Sequence, residues 1–160
     1  MSGPLVALTV AGAIGCGVVG GVFFAFSTFV MAALRRLPSA QGIAAMQSIN
    51  VTAVMAPLML LLFGTAALCV ALVVAAAVTW GEPSAPWLLA AGVVYLVGEI
   101  AVTITYNVPR NDELAALDPE SAEAAARWPS WTAEWTAGNH ARTVAGAAAA
   151  GALCIALHVA

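Results

Sequence analysis

Tyr95–Asp112 reads YLVGEIAVTITYNVPRND. It begins as an apolar helix, carries a single acid, Glu99, and ends in a dense polar cluster. Steps of three and four residues align Glu99, Thr103, Tyr106, Asn107 and Arg110 on one stripe of that helix. A polar stripe on an otherwise apolar helix faces protein. Chemistry is therefore expected where this stripe meets a second polar cluster, Trp135–Thr143.

Outward from this stretch the chain is 160 residues long, 62% hydrophobic and 8% charged, against about a quarter charged in soluble domains. No charge occurs in residues 1–34, 37–81, 83–98 or 143–160. A span needs roughly 20 apolar residues. The expected fold is all-α, an integral membrane four-helix bundle, with helices at 5–34, 51–80, 87–108 and 131–160 and a loop at 109–130 carrying two short surface helices. The first apolar run is longer than a signal core and no cleavage region follows it, so it reads as a retained helix.

Gly17 and Gly21 form a small-xxx-small pair on the first helix. Its second half carries Phe23, Phe24, Phe26 and Phe29 around Ser27 and Thr28, read either as lipid-facing and core rings or as an aromatic wall for a flat apolar ligand. Gln47 and Asn50 lie three apart on one face of a short helix leading into the second span, which Pro57 is expected to kink. Trp80 and Trp87 mark one membrane face, and Trp128, Trp131 and Trp135 the other. Asn111 and Asp118 read as N-caps.

All five arginines lie in or beside the connections after the first and third helices. The positive-inside rule then places both termini outside, with a bacterial plasma membrane as the expected location. A net charge of −3 and the lack of a basic run set nucleic acid aside. Cys16, Cys69 and Cys154, each within an apolar run, read as small packing residues.

On the fourth helix Thr136, Asn139, His140 and Thr143 share a face, with Arg142 beside them. Counting back from the C-terminus puts His140 at the depth of Asn107, and Asn50 is a candidate third contributor to one cavity opening at the cytoplasmic interface. Glu99 lies eight residues, about 12 Å, deeper than Asn107. Interhelical hydrogen bonding alone accounts for scattered Asn, Thr and His; ionisable groups converging at membrane depth point to function. No metal is expected. His158 is 18 residues and roughly 27 Å from His140, and no HxxxH, CxxC or Glu-x-x-His spacing occurs.

GVFFAFSTFVMAALRRLP (Gly21–Pro38), GIAAMQSIN (Gly42–Asn50), YNVPRNDELAALDP (Tyr106–Pro119) and WTAGNHARTVAG (Trp135–Gly146) together resemble the anthrone oxygenase family of small four-helix membrane proteins. The most specific phrases are Asn-Val-Pro-x-Asn (Asn107, Val108, Pro109, Asn111) and Asn-His-x-Arg-Thr (Asn139, His140, Arg142, Thr143). The chain departs from the pattern at Ala32, where proline is expected, and at Gly138, where a bulky residue is.

This resemblance implies oxidation of an anthrone-like or other phenolic polycycle by O2, with no flavin or haem. Such chemistry asks for a base, donors to an anionic oxygen and a dry aromatic pocket. His140 is the expected base and Asn107, Asn139 and Arg142 the donors. Glu99, like Arg110, lies outside the family pattern, and from its depth alone it is expected to be a protonated donor or relay. Phe23, Phe24, Ser27, Asn50, Thr103, Tyr106, Thr136 and Thr143 surround the substrate. The partners are then the lipid bilayer, a small apolar aromatic substrate and O2, with a homo-oligomer as a further expectation. A small transporter using Glu99 as an ion or proton site, or an accessory membrane subunit, are the alternative classes.

Overall fold

The computed structural model describes residues 1–160, Ala56 by its backbone alone. Five helices follow one another: α1 Gly3–Leu34, α2 Ser39–Ala53, α3 Ala56–Val78, α4 Ala85–Ala115 and α5 Ala122–His158. All but α2 are long and apolar enough to cross a membrane, and the chain is an integral membrane protein. The four spans pack as a closed ring in the order α1, α5, α4, α3.

Two of the bundle's crossings are backbone-tight. A Cβ on Gly146 would lie 2.7 Å from the Gly20 Cα, and one on Gly92 2.8 Å from the Cys69 carbonyl oxygen. Without a hydrophobic force between helices in lipid, such close approach is what holds spans together. The contact on α1 falls at Gly20 rather than at the expected pair: Gly21 meets nothing within 4 Å and Gly17 only Ala150 at 4.0 Å. Gly20 belongs to the inward series Cys16, Val19, Gly20, Phe23, which the Gly17–Gly21 spacing does not follow. Cys16 and Cys69 are both buried, with sulfurs 3.9 Å apart across α1 and α3; Cys154 is exposed.

At 37 residues α5 is about 55 Å long, well beyond a hydrocarbon core of roughly 30 Å. Its excess, with the ends of α1 and α4, forms a second core around Met31, Met46, Leu114, Trp128 and Trp131. The connection expected at 109–130 is thus mostly helix, and only residues 116–121 link α4 to α5. Pro109 falls where α4 passes from a π-helical to an α-helical stretch, a junction at which the regular bonding pattern is already interrupted. Pro129 lies within α5, whose first turns are held by the Trp128–Trp131 stack, 5.5 Å between centroids. Ser121 caps α5 by accepting from the Ala124 N–H. Asp118 accepts from Glu120 in the preceding turn, and Asn111 lies inside α4.

Pro57 does not kink a continuous second span. The chain breaks at Val54–Met55, and Pro57 sits in the first turn of α3, where its missing N–H costs nothing. Gln47 Nε2 donates to the carbonyls of Leu114 and Leu117, each at 2.9 Å, closing orphan acceptors at the end of α4. That clamp fixes α2 across the arginine-bearing end of the ring. It also sets the position of Asn50 one turn later.

Candidate functional site

Three π-helical stretches lie in the two helices that face α5: Phe26–Val30 in α1, and Leu96–Ala101 and Thr103–Asn107 in α4. Such widened turns are uncommon and concentrate at functional sites. In α4 the inward positions Gly92 and Glu99 are seven apart, and the next are Asn107 and Leu114. The wide turns have advanced the inward face by one residue, so Asn107 rather than Tyr106 is fully buried.

In α1 the Phe23 carbonyl, just before the widened turn, also accepts from Asn139. Asn139 Nδ2 donates to that oxygen at 2.6 Å and to Ser27 Oγ at 2.7 Å. With both donors committed, its Oδ1 faces Arg142 and accepts from Nη2 at 2.7 Å. Arg142 Nη1 donates to Thr103 Oγ1 at 3.3 Å, and the guanidinium lies 4.0 Å above the Phe23 ring and 5.3 Å from that of Trp135. Thr143 and Ser27 hydroxyls are 3.1 Å apart. Arg142 is buried and its Nε has no partner. A cation in this setting is costly unless it serves a ligand or a fixed countercharge.

Arg142 stands at the inner end of a cavity of about 190 Å³ enclosed by α1, α2, α3, α4 and α5. Phe23, Phe26 and Trp135 form an aromatic wall, with Phe26 and Trp135 rings 5.9 Å apart. Met46, Met59 and Leu62 supply aliphatic surface, and the polar lining is Asn50, Thr103, Asn111 and Arg142. Asn111 Oδ1 accepts from the Trp135 indole N–H at 2.7 Å, which holds the indole plane. Asn50 Nδ2 is buried and unpartnered.

Of the expected site residues, Phe23, Asn50, Thr103 and Arg142 line this cavity, and Asn139, Ser27 and Thr143 support it from behind. Phe24 and Phe29 are exposed on the outer face of α1. Thr136 is bonded to the Thr132 carbonyl and accepts from Arg35 at 3.1 Å. Tyr106 lies under Arg110, 3.6 Å from ring centroid to guanidinium, and Arg110 pairs with Glu134 at 3.3 Å. Asn107 donates to the Trp135 carbonyl at 3.1 Å while its Oδ1 is unpartnered. Gly138 is required here, because a Cβ would strike the Tyr106 ring and come within 2.7 Å of Asn107 Oδ1.

His140 does not join the cluster. The inward face of α5 repeats every seven residues through Trp128, Trp135, Arg142, Ala149 and Ala156, while His140 shares its place in the repeat with Ala133, Ala147 and Cys154, all exposed. A step of 100° per residue sets His140 about 200° from Arg142. The expected shared cavity of Asn107 and His140 is thus corrected to one built on Arg142 and Asn50, and neither Asn107 nor His140 lines it.

Glu99 is fully buried, and neither carboxyl oxygen has a hydrogen-bond partner. It lies against Gly146, one turn beyond Arg142 on α5, where a Cβ would come within 2.7 Å of its Oε1. Trp135, which opens the expected polar cluster but also reads as part of an interfacial belt, and Asn111, which is in the family phrase but reads as a helix cap, line the cavity without being among the expected site residues. The seven-residue spacing from Trp128 through Trp135 to Arg142 was the signal that assigns Trp135 to the interior.

A family model described as anthrone oxygenase matches residues 57–152. The match takes in Thr103, Trp135, Asn139 and Arg142 and leaves the contributions of α1 and α2 outside it. No curated protein and no solved structure matches the chain.

Proposed function

The chain belongs to the anthrone oxygenase family, and from that premise we propose that it oxidises an anthrone-like phenolic polycycle with O2 inside the cavity bounded by Arg142. The observation that carries this reading is the buried guanidinium with an unpartnered Nε beside a mainly apolar, aromatic-walled cavity. A cation held there before the substrate arrives stabilises an anionic oxygen without reorganising solvent.

The substrate's CH2 carbon loses its proton to a water molecule, which gives a proton back to the peroxide anion formed next, and the resulting carbanion spreads onto the ring oxygen beside Arg142. The anion gives its electrons to O2, and the C–O bond then formed yields, after protonation, a hydroperoxide. Loss of water across the C–H and O–O bonds leaves the quinone carbonyl. One O2 is consumed and one water released.

Among the described residues no carboxylate or imidazole lines the cavity, so this reading asks Arg142 to make the substrate acidic rather than asking a side chain to take the proton at the reacting carbon. Asn139 and Thr103 orient the guanidinium, and Phe23, Phe26 and Trp135 wall the ring system. Glu99 does not line the cavity and takes no step in this reading. The arginine-bearing end faces the cytoplasm on this reading, following the distribution of arginine.

The test is O2 uptake with quinone formation from 1,8-dihydroxyanthrone by the purified protein in lipid nanodiscs, against empty discs. Turnover above the spontaneous rate, falling about 100-fold in kcat/KM for Arg142→Gln, is expected. A rate equal to that of empty discs overturns the reading. Ion flux in liposomes without oxidation would move the chain to the transporter class.

A further inference from the structure

The size of the cavity decides how a multi-ring ligand can sit in it. Its volume is about 190 Å³, and a dry apolar cavity of about 150 Å³ takes one benzene. The enclosed part holds little more than one ring, so a tricyclic body extends through the opening.

That opening is bounded by Val54, Phe63 and Ile104, which line the cavity yet are 68%, 52% and 55% exposed. They come from the α2–α3 break, α3 and α4, and all are large and apolar. Phe63 lies six residues past Pro57, about 9 Å further along α3, and Ile104 is within the apolar span of α4. An opening bounded in this way faces hydrocarbon. In the same lining, Arg142 and Asn50 each carry a buried N–H donor without an acceptor, Nε and Nδ2, each costly to leave unmade.

We infer that the site takes its ligand sideways from the bilayer, through the gap beside the α2–α3 break, and holds it with an oxygen-bearing edge on Arg142 and Asn50 and an apolar edge in the opening. The ligand class is a flat, lipid-soluble polycycle whose acidic oxygens lie on one edge. A polar group on the opposite edge would be forced into hydrocarbon unsatisfied. An anthrone bound in this orientation turns its CH2 toward the lipid side, from which apolar O2 arrives. Oxidation places a carbonyl on that edge, which weakens the fit and favours release of the product.

The inference takes its ligand class from the proposed oxidation, and its test does not depend on turnover. The probe is a redox-inert 1,8-dihydroxyxanthone with an azide on the edge away from the hydroxyls, photolysed with the full chain in nanodiscs and mapped by peptide mass spectrometry. Adducts are expected at Val54, Phe63 or Ile104, with yields at least tenfold lower in Asn50→Leu and in Arg142→Gln. Adducts confined to the exposed Ser48 and Thr52 on α2, or undiminished yields in both variants, would overturn it. Adducts at the opening without any anthrone oxidation would support this inference while removing the proposed reaction; oxidation with adducts elsewhere would do the reverse.

Discussion

The Glu99 carboxyl occupies the space that a side chain on Gly146 would fill: a Cβ there would come within 2.7 Å of Oε1. The same Cβ would lie 2.7 Å from Gly20 Cα and 3.1 Å from the Cys16 carbonyl. One glycine thus admits both the α1–α5 crossing and a buried acid from α4. Neither backbone neighbour can move without displacing a helix.

Gly146→Ala should therefore destabilise the bundle by about 1–3 kcal/mol, the usual cost of overpacking. Gly21→Ala, where nothing lies within 4 Å, should be neutral or slightly stabilising through better helix propensity. Unfolding of both proteins in mixed micelles measures the difference. Equal stability would show that α1 and α5 do not pack at Gly20 and Gly146.

His140→Ala should keep the anthrone oxidation rate within about twofold, since the imidazole is exposed on the far side of α5 from Arg142 and surface changes seldom matter. Arg142→Gln, by contrast, should lose about two orders of magnitude. A His140→Ala enzyme that loses its rate while remaining folded would return the base to His140.

Trp135→Phe removes the indole N–H that Asn111 accepts at 2.7 Å but keeps an aromatic wall. Loss of one buried hydrogen bond with its acceptor left behind costs about 1–3 kcal/mol. The variant should bind the dihydroxyxanthone more weakly, and Trp135→Phe with Asn111→Leu should recover part of the stability. A double variant no more stable than the single one would argue that this bond does not hold the wall.

Single cysteines on a Cys-free background test the orientation. Ser84 is buried and so unsuited to labelling, whereas Glu82 and Glu120 are exposed. Glu82→Cys should react with an impermeant maleimide from outside intact cells and Glu120→Cys only after lysis. The reverse pattern would invert the topology.

The salt cluster at the arginine-bearing end should matter little to stability. Arg127 contacts Glu113 at 2.6 Å and Glu134 at 2.9 Å, yet these groups are partly solvent-exposed, and such pairs contribute little. Glu134→Gln is expected to leave the unfolding midpoint nearly unchanged, with any difference vanishing at high salt. A larger, salt-independent loss would show that the cluster is a buried network.

Four charge-free runs and five arginines in or beside the two expected connections were enough to read four spans in a membrane, because apolar length and charge are local properties of a chain. The stripe from Glu99 to Asn107 and the Asn139–Arg142 cluster were likewise legible as polar residues at helical spacing on neighbouring helices. Which of them face one another was decided by tertiary structure. A helix is assigned its inward face by the neighbour it packs on, and a three-or-four spacing serves two adjacent faces equally; on α5 the Gly20–Gly146 contact chose the face with Arg142 and turned His140 away. The π-helical turns of α4 then moved the inward register by one residue, so that Asn107 entered the interior and Tyr106 went to its edge. No local pattern announces an inserted turn, since its cost is met by contacts from other helices. The cavity itself needed residues from all five helices, and the break before Pro57 supplies Val54 to its lining.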